Sequence, residues 1–269
     1  PRHAEVILAS FPTVQSAADA VANVIAVGLI PAGLEMMDAA STAAVEAYLH
    51  AGYDLEAAAL LLCESDGEPD VVAQEIAAMS QILREAGATR LQVSQNEAER
   101  LKFWAGRKSA FPAAARLAPD YYCMDGTIPR KSLGRILTEI AAMEQEFGLQ
   151  CLNVFHAGDG NMHPMILFNG ADPDEVERAE HFGAKILDAS IALGGTITGE
   201  HGVGLEKIGH MCMQFTDEER GAMWAVKAAF DPAGLLNADK AIPTLHRCAE
   251  FGRMHVHDGE MPFPDLPRF

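Results

Sequence analysis

The chain has 269 residues, 49% of them apolar and 22% charged, so it can bury a sizeable core and reads as globular rather than disordered. Acids outnumber bases by 38 to 20, and the net charge of -18 repels phosphate backbones and anionic lipid, so neither nucleic acid nor a lipid surface is an expected partner. No apolar run reaches the ~18–20 residues that cross a bilayer, because the longest candidate, Val21 to Leu34, is interrupted by Asn23, Gly28 and Pro31.

Ala4 to Ala9 reads as a first strand that starts almost at once after Pro1. The chain is therefore expected to be a piece of something longer. No basic start leading into an apolar stretch and a cleavage site marks residues 1–30, so no signal peptide is expected. Thr13 is a plausible cap for a helix running to about Val27. Ser41 is expected to cap a second helix that ends at Gly52. Ala58 to Cys63 is a short apolar run that suits a buried strand. Asp70 is expected to cap a helix with Val72, Ile76, Met79 and Leu83 on one stripe, closed by Gly87. Thr89 to Ser94 follows as a strand. Asn96 then caps a helix of about four turns holding Trp104 and Arg107, which Pro112 kinks or ends.

The alternation continues. Tyr121 to Ile128 is a predicted strand, Lys131 to Phe147 a helix, and Cys151 to His156 and Met162 to Phe168 two more strands. The interval between those two is too short for a helical crossover, so they must run antiparallel. Asp172-Pro173 opens a helix to Leu193 that Gly194-Gly195 stops. Thr216 caps a last helix ending near Asp231-Pro232. From Arg247 the chain loses periodicity and reads as an extended tail. Its His246, His255 and His257 are expected to be solvated. The prediction is an α+β fold with a mixed or antiparallel sheet covered by helices. Five scattered cysteines, without any C-x-x-C, read as isolated thiols in a reducing compartment.

Three segments concentrate chemistry. In His156-Ala-Gly-Asp-Gly-Asn-Met-His163 two strands meet through a glycine-rich turn. If the two histidines face each other across the hairpin, they form a clamp for a divalent metal. Alternatively, one caps the turn and the other packs. In Gly194-Gly-Thr-Ile-Thr-Gly-Glu-His-Gly-Val-Gly204, Glu200 can complete a two-histidine, one-carboxylate site. His201 is then a general base, whose reference pKa of about 6.5 suits proton transfer near neutrality. The spacing fits neither a P-loop nor a dinucleotide fingerprint, and a plain turn with two exposed polar residues is the other reading. In Phe103-Trp-Ala-Gly-Arg107-Lys108 the arginine is either a solvated residue with a packed stem or a bidentate clamp for a carboxylate.

Taken together and in this order, these segments resemble the C-terminal part of the FAD-linked 2-hydroxy-acid oxidases and dehydrogenases, in the glycolate oxidase and D-lactate dehydrogenase branch of the vanillyl-alcohol-oxidase-like superfamily. The likeness rests on Pro31-Ala-Gly-Leu-Glu-Met-Met-Asp38, on Asn153 to Pro164, on Thr198-Gly-Glu-His-Gly-Val-Gly204 with Lys207, and on Phe230 to Lys240. It implies a ferredoxin-like cap domain with a largely antiparallel sheet over residues 1–228. A segment at 229–245 would pack on an FAD domain absent from this chain, and 246–269 would be a tail. It implies FAD as cofactor, bound mainly by that absent domain. His156, His163 and Glu200 would hold a divalent metal, zinc or similar, in those members that have one. His201 would take the substrate hydroxyl proton, Arg107 would grip its carboxylate, and Asn237 would lie near the flavin. Relatives acting on larger hydroxy-diacids have a lysine where Cys123 stands, so a small 2-hydroxy acid is the implied substrate. Further partners would be an iron–sulfur or other electron-transfer subunit, and the location cytoplasmic or at the inner membrane face through such subunits. Two other readings stay open: a stand-alone metal-dependent hydrolase, and a non-catalytic assembly module.

Overall fold

The computed structural model describes residues 3–243; the expected tail at 246–269, with its three histidines, lies outside them. By contacts the chain divides into two compact units, Pro1–Gly199 and Glu200–Phe269.

The first unit is built on one eight-stranded antiparallel sheet. Its first half runs β1 (His3–Phe11), α1 (Val14–Ala26), β2 (Gly33–Asp38), α2 (Ala39–Leu49), β3 (Ala59–Gly67), α3 (Pro69–Glu85) and β4 (Arg90–Val93). The strand order β4-β1-β3-β2 is the ferredoxin-like one. The second half follows with α4 (Glu97–Lys108), α5 (Ala110–Ala114), β5 (Asp120–Cys123), β6 (Gly126–Thr127), α6 (Leu133–Phe147), β7 (Cys151–His156), β8 (Asn161–Phe168) and α7 (Pro173–Ala192). These strands extend the sheet as β2-β7-β8-β5, with β6 also on β8.

Both faces of the sheet are covered. On one, Val6, Leu8, Met37, Leu60, Leu62, Val154 and Met165 pack beneath Ala44 and Val45 of α2 and Ala110, Ala113 and Ala114 of α5. Alternate residues such as Ile7, Met36, Leu61, Phe155 and Ile166 are buried on the other face, against which α1, α3, α6 and α7 pack. Strands buried on both faces lose the period-two pattern. This is why β2, which starts at Gly33 just after Pro31, gave no strand signal of its own.

Helix ends agree with the sequence at Thr13, Asn96, Asp172 and Thr216, whose side chains each accept a backbone N–H of the first turn. Two caps need correction. Asp38, not Ser41, caps α2, because the strand feeding that helix ends at Asp38. Glu68 precedes α3 without a side-chain cap, and Asp70 sits in its first turn, since Pro69 already occupies the first helical position. The helix holding Arg107 ends at Lys108, and Pro112 lies inside the separate short α5.

The strand expected at 121–128 is split into β5 and β6. Cys123 pairs with Met165 and Gly126 with Met162, so the break stands opposite His163 and Pro164. Proline has no N–H to give the ladder; Met124 donates to its carbonyl at 3.0 Å and the ladder is interrupted there. Asp125 is thereby released from the sheet.

The second unit contains α8 (Met211–Gln214), which the sequence reading missed, and α9 (Asp217–Phe230), closed at its start by a capping box between Thr216 and Glu219. Cys63, Cys123 and Cys151 are outside any disulfide; Cys212 is disulfide-bonded, which corrects the expectation of isolated thiols at that position.

Candidate functional site

Four cross-strand pairs carry the apolar core into a polar patch on one sheet face. Met37 stands opposite Val154, and two residues along Glu35 stands opposite His156. On the other side of β7, Val154 faces His163 and His156 faces Asn161. The two histidines are therefore diagonal neighbours rather than a direct pair. They still share a face, with ring centroids 5.1 Å apart and planes at 88°. His163 is buried at 3% exposure, its ring edge against Phe111 of α5, while His156 is half-buried.

Arg107 lies in the last turn of α4 and is buried, not solvated. Its Nε donates to Glu35 Oε2 at 2.9 Å. Glu35 Oε1 lies 2.8 Å from His156 Nδ1. One carboxylate thus joins the arginine to the first histidine. The position of α4 is set from two sides. The Tyr53 hydroxyl donates to the Phe103 carbonyl at 2.5 Å, and any Cβ on Gly106 would fall 1.9 Å from that hydroxyl oxygen. Glu64 holds the other side, accepting from Arg100 at 2.7 Å and from Trp104 Nε1 at 2.5 Å. Glycine beside Arg107 is a packing requirement.

Asp125, released opposite Pro164, is fully buried. Its Oδ1 is 3.9 Å from His163 Nε2. Its Oδ2 accepts from the Thr198 hydroxyl at 2.7 Å and, with the Asp125 carbonyl, from the Gly199 N–H at 3.0 Å. A Cβ on Gly199 would come within 2.5 Å of Asn161 Oδ1, a buried oxygen without a hydrogen-bond donor. The start of the glycine-rich segment is thus fastened beside the histidine hairpin by its own backbone. A cavity of about 710 Å³ opens beside Glu35 and His156, lined also by Pro31, Leu34, Arg130 and Asp159 among others. Arg130 donates to the Gly158 carbonyl at 2.8 Å across the hairpin turn.

Glu200 and His201 open the second unit. Both are exposed, and Glu200 Oε1 lies 3.7 Å from His201 Nε2. Gly202 and Gly204 follow at φ of +86° and +56°, conformations that favour glycine. Asn237 is in the same unit, exposed, with φ of +44°. It follows a turn wound on Asp231, whose two carboxylate oxygens accept from Leu235 and Leu236 N–H at 2.9 Å each.

Glu35 and Asp125 carry most of the connections in the first unit, and sequence reasoning assigned neither a role. Glu35 stood in a stretch that gave no strand signal. Asp125 was visible only as the acid beside Gly126. The signal that could have found it is Pro164, which forces a gap in the neighbouring strand.

The domain is thus an antiparallel sheet buried on both faces, with a histidine pair and a paired guanidinium at its polar end. Residues 1–241 match the family model described as FAD linked oxidases, C-terminal domain. The chain is 57% identical over its whole length to glycolate oxidase subunit GlcD of Escherichia coli (strain K12), covering 54% of it. It is 36% identical over 240 residues, 89% of the chain, to GlcD of Bacillus subtilis (strain 168), covering 51% of that protein. Among solved structures, 4-ethylphenol oxidase from Gulosibacter chungangensis in complex with isoeugenol superposes with a TM-score of 0.64 at 15% identity, over 91% of this chain and 55% of that one. This chain belongs to the FAD-linked oxidase C-terminal domain family. It spans about half the length of the curated relatives it matches. Membership in that family gives no support to a stand-alone hydrolase. Among the described residues no helix is long and apolar enough to cross a membrane.

Proposed function

We propose that this chain is the substrate-binding half of a flavin-dependent oxidoreductase that converts a small 2-hydroxy acid, glycolate or D-lactate, to the 2-oxo acid. The observation that carries the reading is the strand-borne cluster. Two imidazoles share one sheet face 5.1 Å apart, with a guanidinium joined to one of them through Glu35, beside a cavity large enough for such a substrate. The donor set suits a divalent metal, since two imidazoles with a carboxylate behind one of them is a common arrangement of histidine ligands.

In this reading Arg107 is held through Nε and offers its remaining guanidinium donors to the substrate carboxylate. His201 takes the hydroxyl proton from an exposed position in a glycine-rich segment. His156, His163 and Glu200 hold the metal, which as a Lewis acid would polarise the substrate oxygens. FAD, when bound, supplies the acceptor for the hydride from the carbinol carbon. Asn237 lies at the flavin. Phe230, Leu235 and Leu236, at 83%, 80% and 61% exposure, form an apolar stretch for the FAD domain to cover. Cys123, half-buried and uncharged, offers no second cation, which favours a monocarboxylate. An electron-transfer subunit, iron–sulfur in type, receives the electrons, in the cytoplasm or at the inner membrane face.

The test is a chimera in which this chain replaces the matching half of Escherichia coli GlcD, assembled with that enzyme's other subunits. Glycolate- or D-lactate-dependent dye reduction, absent with the hydroxyl-lacking acetate or propionate, is the expected result. A folded, flavin-loaded chimera that oxidises neither acid would overturn the reading.

A further inference from the structure

Glu35 stands where two requirements meet. It is the direct cross-strand partner of His156. Its two oxygens divide their work: Oε2 accepts from Arg107 Nε at 2.9 Å, and Oε1 lies 2.8 Å from His156 Nδ1. The group is buried at 8% exposure. A buried ion pair is weak evidence for a stabilising role, because desolvating both charges offsets most of their attraction. Apolar residues of similar volume would serve the sheet as well, as Met37 and Val154 do one pair away. What an apolar pair cannot do is fix the direction of a ring and the site of its proton.

A carboxylate beside a permanently charged guanidinium can only accept. The nitrogen facing it, Nδ1, must then carry a proton, and in the neutral ring Nε2 carries the lone pair. We infer that Glu35 is a positioning residue: it sets the His156 tautomer so that Nε2 is the ligating nitrogen, and with its other oxygen it fixes the Arg107 guanidinium, coupling the metal-binding and carboxylate-binding parts of one site. Its metal-directed half rests on the reading of His156 as a ligand; the tautomer does not. Glutamine at position 35 keeps the shape but puts an NH2 where one of the two acceptor oxygens stands, so in the same pose it cannot accept from both neighbours.

The experiment uses the 269-residue chain, labelled with nitrogen-15, without metal. Two-bond proton–nitrogen correlation at alkaline pH, where the ring is neutral, reads the tautomer directly. His156 is assigned by loss of its signals in His156→Gln. The wild-type ring should show protonated Nδ1 and unprotonated Nε2; Glu35→Gln should move it to a mixture or to the opposite tautomer. Protonated Nε2 in the wild type, or an unchanged tautomer in a folded Glu35→Gln, would overturn the inference. If Glu35→Gln does not fold, the wild-type tautomer alone decides. Zinc titration of the same samples is the second arm. Affinity in Glu35→Gln should fall about 10–100-fold, the usual effect of losing the group behind a ligating histidine. Equal affinity in the two proteins contradicts the metal-directed half. Zinc that fails to bind the wild type while the tautomer is as expected removes the metal reading and leaves Glu35 as the group that orients His156.

Discussion

The two histidine-bearing regions hold their side chains by different means. His156 and His163 are fixed by sheet register: β7 is paired on both sides, and the ring of His163 is buried. Glu200 and His201 are exposed, and they are followed by glycines in left-handed conformations. Register defines a position that one-residue slips cannot approximate, because a slip would turn the whole strand over. A glycine-rich segment defines a path through its backbone conformation and leaves its polar side chains exposed. Of the groups assigned to hold an ion, the two histidines are thus held by the sheet, while the third, Glu200, and the group assigned to move a proton, His201, are exposed. Asp125 is where the sheet holds the start of the glycine-rich segment, through Thr198 and Gly199.

The largest effect that can break this comparison is on turnover. In the assembled chimera, His201→Ala should lower the rate by at least the ~10²–10⁴-fold that a positioned base contributes. A near-wild-type rate would remove His201 from the chemistry and leave the second region without its assigned purpose.

The rigidity of the first region is tested next. Phe155, fully buried, backs the histidine strand from the opposite face. Phe155→Ala should cost about 3–5 kcal/mol of stability in denaturant unfolding. A loss below about 1 kcal/mol would show that the strand is not held by the core as described.

Asp125→Ala addresses the link. It removes the one oxygen, Oδ2, that accepts from both Thr198 and Gly199, so a cost of about 1–3 kcal/mol is expected. Amide exchange at Thr198 and Gly199 should quicken, with that of Val154 unchanged. Unchanged exchange at 198 and 199 would mean that the segment is fastened elsewhere.

The smallest effect is a pH dependence in the frame. Asp38 ends β2, caps α2 and accepts from the Asn153 side chain at 2.8 Å. Burial raises its carboxyl above 3.8, against the opposing pull of its hydrogen bonds from Ser41 and Asn153. Burial likewise raises Glu144. A carboxyl raised on folding binds its proton more tightly in the folded state. Its contribution to stability is therefore greatest at acid pH and is lost as pH rises from the unfolded value through the folded one. Asp38→Asn should flatten this part of the unfolding-midpoint profile relative to wild type. Parallel profiles would contradict it.

Much of this was legible in the residues. The β7–β8 hairpin was readable because its turn is too short for anything else, and the capped helices because Thr13, Asn96, Asp172 and Thr216 each precede a clear apolar stripe. Strand β2 was not, because a strand buried on both faces shows no alternation and it starts just after Pro31, which breaks the apolar run. Glu35 was hidden with it. The diagonal offset of His156 and His163 was also beyond the sequence, since the register is set by pairing of β7 with β2 as well as with β8.

The most direct measurement is a double-mutant cycle on turnover in the assembled chimera, using His163→Gln and Glu200→Gln. If the strand histidine and the loop carboxylate serve one substrate, each single change should lower kcat/KM by about 10²-fold or more, and the double should fall little below the worse single, as residues acting as a unit do. Losses that simply multiply would mean that the two regions act independently, and would contradict the shared site.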